Sequence, residues 1–99
     1  MKYDALMSTK ASLRLAKMPL DVVNKTQRGI DELREDPVGR SSKPHPDYPE
    51  ANYPHPRGQM YEIEWESSTH FNIVTILFCY AQNEKDIFII DIVHASMPL

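Results

Sequence analysis

The sequence predicts an α+β domain of order β-α-α-β-β-β, with an N-terminal strand and a helical hairpin packed on a small antiparallel sheet. Three observations carry that reading. Two apolar arms, FNIVTILFCY and DIFIIDIVH, flank a polar, turn-tolerant break at Gln82, Asn83, Glu84 and Lys85, which is the pattern of a β-hairpin. Gln59 to Ser67 alternates strictly, with Tyr61, Ile63 and Trp65 on one side and Met60, Glu62, Glu64 and Glu66 on the other. Upstream, two segments of helix formers meet at Pro19. A lone hairpin is marginal in water, so the other elements must cover it.

In chain order, Lys2 to Met7 alternates Tyr3, Ala5 and Met7 against Lys2, Asp4 and Leu6, and reads as a short strand. Ser8 or Thr9 can cap the helix that follows, by accepting from an unpaired N–H in its first turn. That helix, Lys10 to Lys17, contains Leu13, Leu15 and Ala16, and Pro19 ends it because proline lacks the donor. Pro19 also suits the start of a second helix, whose apolar stripe reads Leu20, Val23, Ile30 and Leu33, with Gln27 as a polar interruption. Asp36-Pro37 and Gly39 stop it. Residues 40–58 form a Pro/His-rich loop holding five of the eight prolines, poorly suited to a β ladder. Ser67-Ser68-Thr69 then turns the alternating strand into the first apolar arm, whose two faces are both apolar, as in a central strand. In the second arm, simple alternation places Phe88, Ile90, Ile92 and His94 on one face, and Ile87, Ile89, Asp91 and Val93 on the other. Met97-Pro98-Leu99 reads as a short tail.

Ninety-nine residues make a single domain, 1–99, with 41% hydrophobic and 25% charged content. No apolar run is long enough to span a bilayer, and Met1-Lys2-Tyr3-Asp4 does not begin a signal peptide, so a cytoplasmic protein without membrane contact is expected. The single cysteine, Cys79, sits mid-strand and suits a reducing compartment as a small core residue. Residues 1–58 carry ten of the eleven Lys/Arg against eight acids, whereas residues 59–99 carry only Lys85 against six. The formal total of −3 argues against a general nucleic-acid binder, and so against direct DNA binding by the chain alone, while leaving room for a local basic patch on the N-terminal half. His45, Asp47, His55 and His70 fit no compact metal motif, and three glycines do not make a phosphate loop, so no metal and no cofactor are expected.

The element order and lengths resemble the RelE/ParE superfamily of type II toxin–antitoxin toxins. The matching stretches are the first strand KYDALM, the helix STKASLRLAK and the Pro-started second helix, which closes in IDELREDP at residues 30–37. Members of that superfamily commonly close this helix with a Leu, a few polar residues and a Pro. The hairpin ILFCYAQNEKDIFIIDIVHA resembles the family's last two strands, which commonly end in a His. Apart from the proline-rich loop, the resemblance covers nearly the whole chain.

The resemblance implies a small toxin neutralised by an antitoxin that wraps its surface. In the RelE branch it implies ribosome-dependent mRNA cleavage without a metal, the ribose 2′-OH attacking the adjacent phosphate. That chemistry needs proton transfer and cations near the phosphate. His94 falls where the family's terminal His lies and is the candidate acid or base, since imidazole exchanges protons near neutral pH. Arg57 lies close to where these toxins place phosphate-binding cations, and His55 is a candidate second proton-transfer group. Arg40 and Lys43 are candidates for RNA backbone contact, and Tyr80 for stacking on a base. Family nucleases usually carry basic residues on the strands that Gln59–Ser67 and Phe71–Ala81 match, and this chain has none there. A second reading therefore stands beside the first: a non-catalytic binding module, either a gyrase poison as in the ParE branch or a decayed toxin that only binds an antitoxin.

Overall fold

The computed structural model describes residues 3–37, 43–44, 58–80 and 85–99. Its elements are β1 (Asp4–Met7), α1 (Thr9–Ala16), α2 (Leu20–Glu35), β2 (Lys43–Pro44), β3 (Gly58–Glu66), β4 (His70–Tyr80) and β5 (Asp86–Pro98). The strands form one five-stranded sheet in the order β1-β5-β4-β3-β2. The meander β3-β4-β5 is antiparallel as expected, and β1 adds to β5 in parallel, so the sheet is mixed. A parallel neighbour needs a long crossover, and everything from α1 to β4 lies within this one. No helix among the described residues is long and apolar enough to cross a membrane.

The central strand β4 is covered on both faces: Val74, Ile76 and Phe78 are fully buried on the helical side, and Leu77 and Cys79 are buried on the other. The core joins these to Ala11 and Leu15 of α1, to Val22, Ile30 and Leu33 of α2, and to Ile87, Ile89 and Ile92 of β5. Tyr61, Ile63 and Trp65 pack against it from β3, and Tyr3, Ala5 and Met7 from the first strand and its lead-in. By the period of two, Glu62, Glu64 and Glu66 therefore occupy the sheet face turned away from the helices.

Four details differ from the expectations above. The buried stripe of α2 is Val22, Thr26, Gly29, Ile30 and Leu33, and Leu20 is 75% exposed. Thr26 is admitted to the core because its hydroxyl donates to Val22 O at 2.8 Å. Gly29 lets the helix approach Ile63 of β3 closely. Second, α1 buries Ala11 and Leu15, leaving Leu13 in solvent.

Third, the 40–58 loop supplies a two-residue strand after all, Lys43 and Pro44 pairing with Met60 and Gln59. At the sheet edge the absent proline N–H leaves no interior ladder bond unmade.

Fourth, β5 contains a bulge and runs on through Met97-Pro98. The register passes from Leu77↔Asp91 to Phe78↔Ile89, leaving Ile90 as the extra residue. Because the phase changes there, Ile87 and Ile89 share the core face with Ile92, which simple alternation forbids. The bulge is held from α1. Ser8 caps that helix by accepting from Ala11 N–H at 3.0 Å, and its hydroxyl also donates to Ile90 O at 2.6 Å. Beside it, Asp91 accepts from Ile92 N–H at 2.9 Å. The carboxylate's side chain is 4% exposed and pairs with Lys10 Nζ at 3.3 Å and Arg14 Nη1 at 3.4 Å. Cap and ion pairs together lay α1 along β5.

Candidate functional site

Past the bulge, His94 stands on β5 directly opposite Val74 of β4, which is itself opposite Ile63 of β3. One two-residue step along, Asn72 faces Trp65. These positions share the helical face of the sheet, so the three polar or aromatic side chains converge where the hydrophobic core gives out. Asn72, 6% exposed, accepts at Oδ1 from His94 Nε2 at 3.0 Å. Its amide orientation is assigned by the other end, where Nδ2 donates to His70 O at 3.5 Å. With Oδ1 as the acceptor, Nε2 is the donor of that bond, and Nδ1 is the ring nitrogen that Asn72 does not engage. Nδ1 makes no bond to another described residue.

The imidazole is further held by Trp65, whose ring lies nearly parallel at 9° with centroids 6.2 Å apart. Lys25 of α2 sits over the indole, its Nζ 5.9 Å from the ring centre, a cation–π contact on the outer side of the cluster. Half-buried, with one nitrogen bonded and one face stacked, His94 is an oriented imidazole with one nitrogen left to work.

In front of it a cleft of about 320 Å³ opens between the last turn of α1 and β5, lined by Arg14, Lys17, Met18, Pro19, Val93 and His94 among others. The bulge decides that His94 faces this cleft: regular alternation from Ile87 and Ile89 would put Val93 on the helical side and His94 on the other. The acidic residues Glu62, Glu64 and Glu66 lie on the opposite face from His94, so they do not set the electrostatics of this cleft.

Of the residues singled out from sequence, His94 is thus built into a defined environment. Arg40, His55 and Arg57 lie outside the described residues. Lys43 is in β2 and Tyr80 ends β4, opposite Ile87, with their backbones alone described. Sequence reasoning missed Asn72, Trp65, Arg14 and Lys17. The first two had a usable signal: the tight turn at Ser67–Thr69 pairs Trp65 with Asn72, and the hairpin then carries the alignment across to β5. The last two had none, because only the docking of α1 on the bulge brings them to the strand. Among the described residues no group of three or more His, Cys, Asp or Glu side chains is arranged to hold a metal ion.

No family model matches the chain, and no curated protein matches it. Solved structures do. A mutant of the Escherichia coli toxin RelE in the free state superposes with a TM-score of 0.60 at 16% identity, over 93% of this chain and 82% of that one. The intact Escherichia coli RelBE toxin–antitoxin complex gives 0.59 at 15% identity, over 91% and 93%. The toxin–antitoxin complex RelBE2 from Mycobacterium tuberculosis gives 0.61 at 16% identity, over 96% and 100%.

Proposed function

We propose that this chain, which has the fold of the RelE/ParE toxins, is the toxin component of a type II toxin–antitoxin system that cuts mRNA on the ribosome in the cytoplasm. The observation that carries the reading is His94: an imidazole held by Asn72 and Trp65, its Nδ1 unclaimed among the described residues, beside a basic cleft on a toxin-type fold. The chemistry that fits is attack of a ribose 2′-OH on the adjacent phosphorus. The 2′-OH loses its proton to a base, the P–O5′ bond breaks, and the leaving 5′-oxygen gains a proton, giving a 2′,3′-cyclic phosphate and a 5′-OH. His94 Nδ1 can take the first proton or, when the ring is charged, give the second. The cations beside it neutralise charge growing on the phosphate oxygens. Arg57 and His55 are proposed as the second cation and the partner proton-transfer group, and Arg40, Lys43 and Tyr80 as contacts to the RNA. The partners are a cognate antitoxin and the translating ribosome with its message.

Tightly controlled induction in a bacterial host tests this, with message ends mapped by primer extension in wild type and His94→Ala. Growth arrest with cuts inside translated messages is expected, and the variant should lose about 10²–10⁴-fold in cutting, the usual contribution of a positioned acid or base. Arrest without cuts, or cuts unchanged by the variant, would overturn it. The second reading, a gyrase poison or a module that only binds an antitoxin, is favoured by one observation: β3 and β4 carry no Arg or Lys. Arrest that survives His94→Ala, or no arrest at all, is its signature.

A further inference from the structure

We propose that Arg14 and Lys17, the α1 wall of the His94 cleft, bind a phosphodiester of single-stranded RNA while Met18 and Pro19 receive its sugar or base. The inference deepens the ribonuclease reading and rests on it for the nature of the ligand. Its structural basis is separate, because neither cation lies on the strand that carries His94.

Charge comes first. Arg14, in the last turn of α1, and Lys17, its C-cap, line the cleft, and the carboxylate that reaches Arg14 from β5 is Asp91. That carboxylate is almost fully buried and already claimed by Lys10, Arg14 and the Ile92 N–H, whereas Lys10 and Arg14 remain 57% and 47% exposed. Two lining cations, with no carboxylate in the lining itself, leave a net positive wall. Lys17 pairs with no described acid, and Asp21, in the first turn of α2, does not line the cleft.

A helix C-terminus ordinarily repels an anion through its unpaired carbonyls. Here Lys17 N–H is directed to Arg14 O and Leu15 O, and Met18 N–H also donates to Leu15 O at 3.1 Å, so the Arg14 and Leu15 carbonyls are taken up within the last turn.

Shape and chemistry then select among anions. Met18, Pro19 and Ile92 give the cleft an apolar wall beside the cations, which suits a nucleotide better than a bare ion. Asp91 acts as a positioning residue for Arg14: it engages Nη1 and leaves the rest of the planar fork free to donate to phosphate oxygens. A phosphate seated there lies beside the imidazole, where a proton-transfer group is of use.

The test is a titration of the whole chain, followed by amide NMR shifts, with a dinucleoside monophosphate whose first sugar is 2′-O-methylated and so cannot be cut. Movement is expected at Lys17, Met18, Val93 and His94. Lys17→Ala and Arg14→Gln should each weaken binding about fivefold, as for loss of one charge-assisted contact. Arg28→Ala, on the solvent side of α2, should leave the titration unchanged. Lys17→Ala keeps the test sound should Arg14→Gln disturb the pairing with Asp91. Shifts elsewhere, no shifts to low-millimolar ligand, an equal loss in Arg28→Ala, or inorganic phosphate binding as well as the dinucleotide would each overturn the proposal. The titration contains no ribosome and no cleavage, so its failure is distinct from failure of the nuclease reading.

Discussion

A β-carbon added at Gly29 would strike the Ile63 Cδ1 well inside van der Waals contact, and would come within 3.4 Å of Ile76 Cδ1. In an exposed helix, Gly→Ala gains about 1 kcal/mol. At this position that gain is opposed by overpacking of about 1–3 kcal/mol, because the helix meets the sheet there. Gly29→Ala should therefore lower stability in urea unfolding, by about 1 kcal/mol. Ile63→Val removes the struck methyl group, so the double variant should be more stable than the sum of the singles by about 1 kcal/mol. A single Gly29→Ala variant more stable than wild type would show that the close approach is not limiting. Of the stripe expected for α2, Ile30 and Leu33 are buried and Val23 packs against the core, while Leu20 lies in solvent. Gly29 and Thr26 escape a hydrophobic pattern because neither is strongly apolar: one is a small residue and the other a hydroxyl that bonds its own helix.

Among elements, the junction of α1 with the bulge concentrates the most consequence in one side chain. Ser8 satisfies a helix N–H and a bulge carbonyl with the same oxygen. Ser8→Ala should cost about 2 kcal/mol, the sum of a lost cap and an unmet part-buried carbonyl, while Ser8→Thr should keep most of both bonds. Thermal unfolding by circular dichroism reads the difference, and equal melting of the two variants would refute the dual role. The bulge itself was only half legible. Ile87, Ile89 and Ile92 cannot share a face in a regular strand, and the Ile89-Ile90 doublet hints that the phase breaks there, but the pairing partner that absorbs the extra residue comes from β4. What was fully legible were the elements whose pattern is local: the alternation of β3, the apolar arms, and the proline between the helices.

For the whole molecule, the parallel addition of β1 to β5 joins the first residues of the chain to its last strand, pairing Asp4–Met7 with Asp86–Ile89. Tyr3 N–H donates to Arg34 O at 2.8 Å and Arg34 Nε to Tyr3 O at 2.9 Å, so the same segment fastens the end of α2. Deleting residues 1–7 should abolish cooperative unfolding and promote aggregation, since the edge of β5 at Ile87 and Ile89 would be uncovered. Removing Leu99 alone, which contributes one bond to Thr69 O, should change stability by less than about 1 kcal/mol. A truncated chain that still melts in one sharp transition would show that β1 is dispensable. The fold class and order were readable because hydrophobic periodicity is a local signal. The parallel pairing, and with it the cleft, were not, because they depend on contacts across nearly the full length of the chain.

Trp65 is the single tryptophan of the sequence, and it lies against His94. Indole emission responds to what is packed on the ring, so the protein carries its own optical gauge at this cluster. The wild-type chain, without a label, reports in its fluorescence any ligand that moves His94 or Lys25 against that ring.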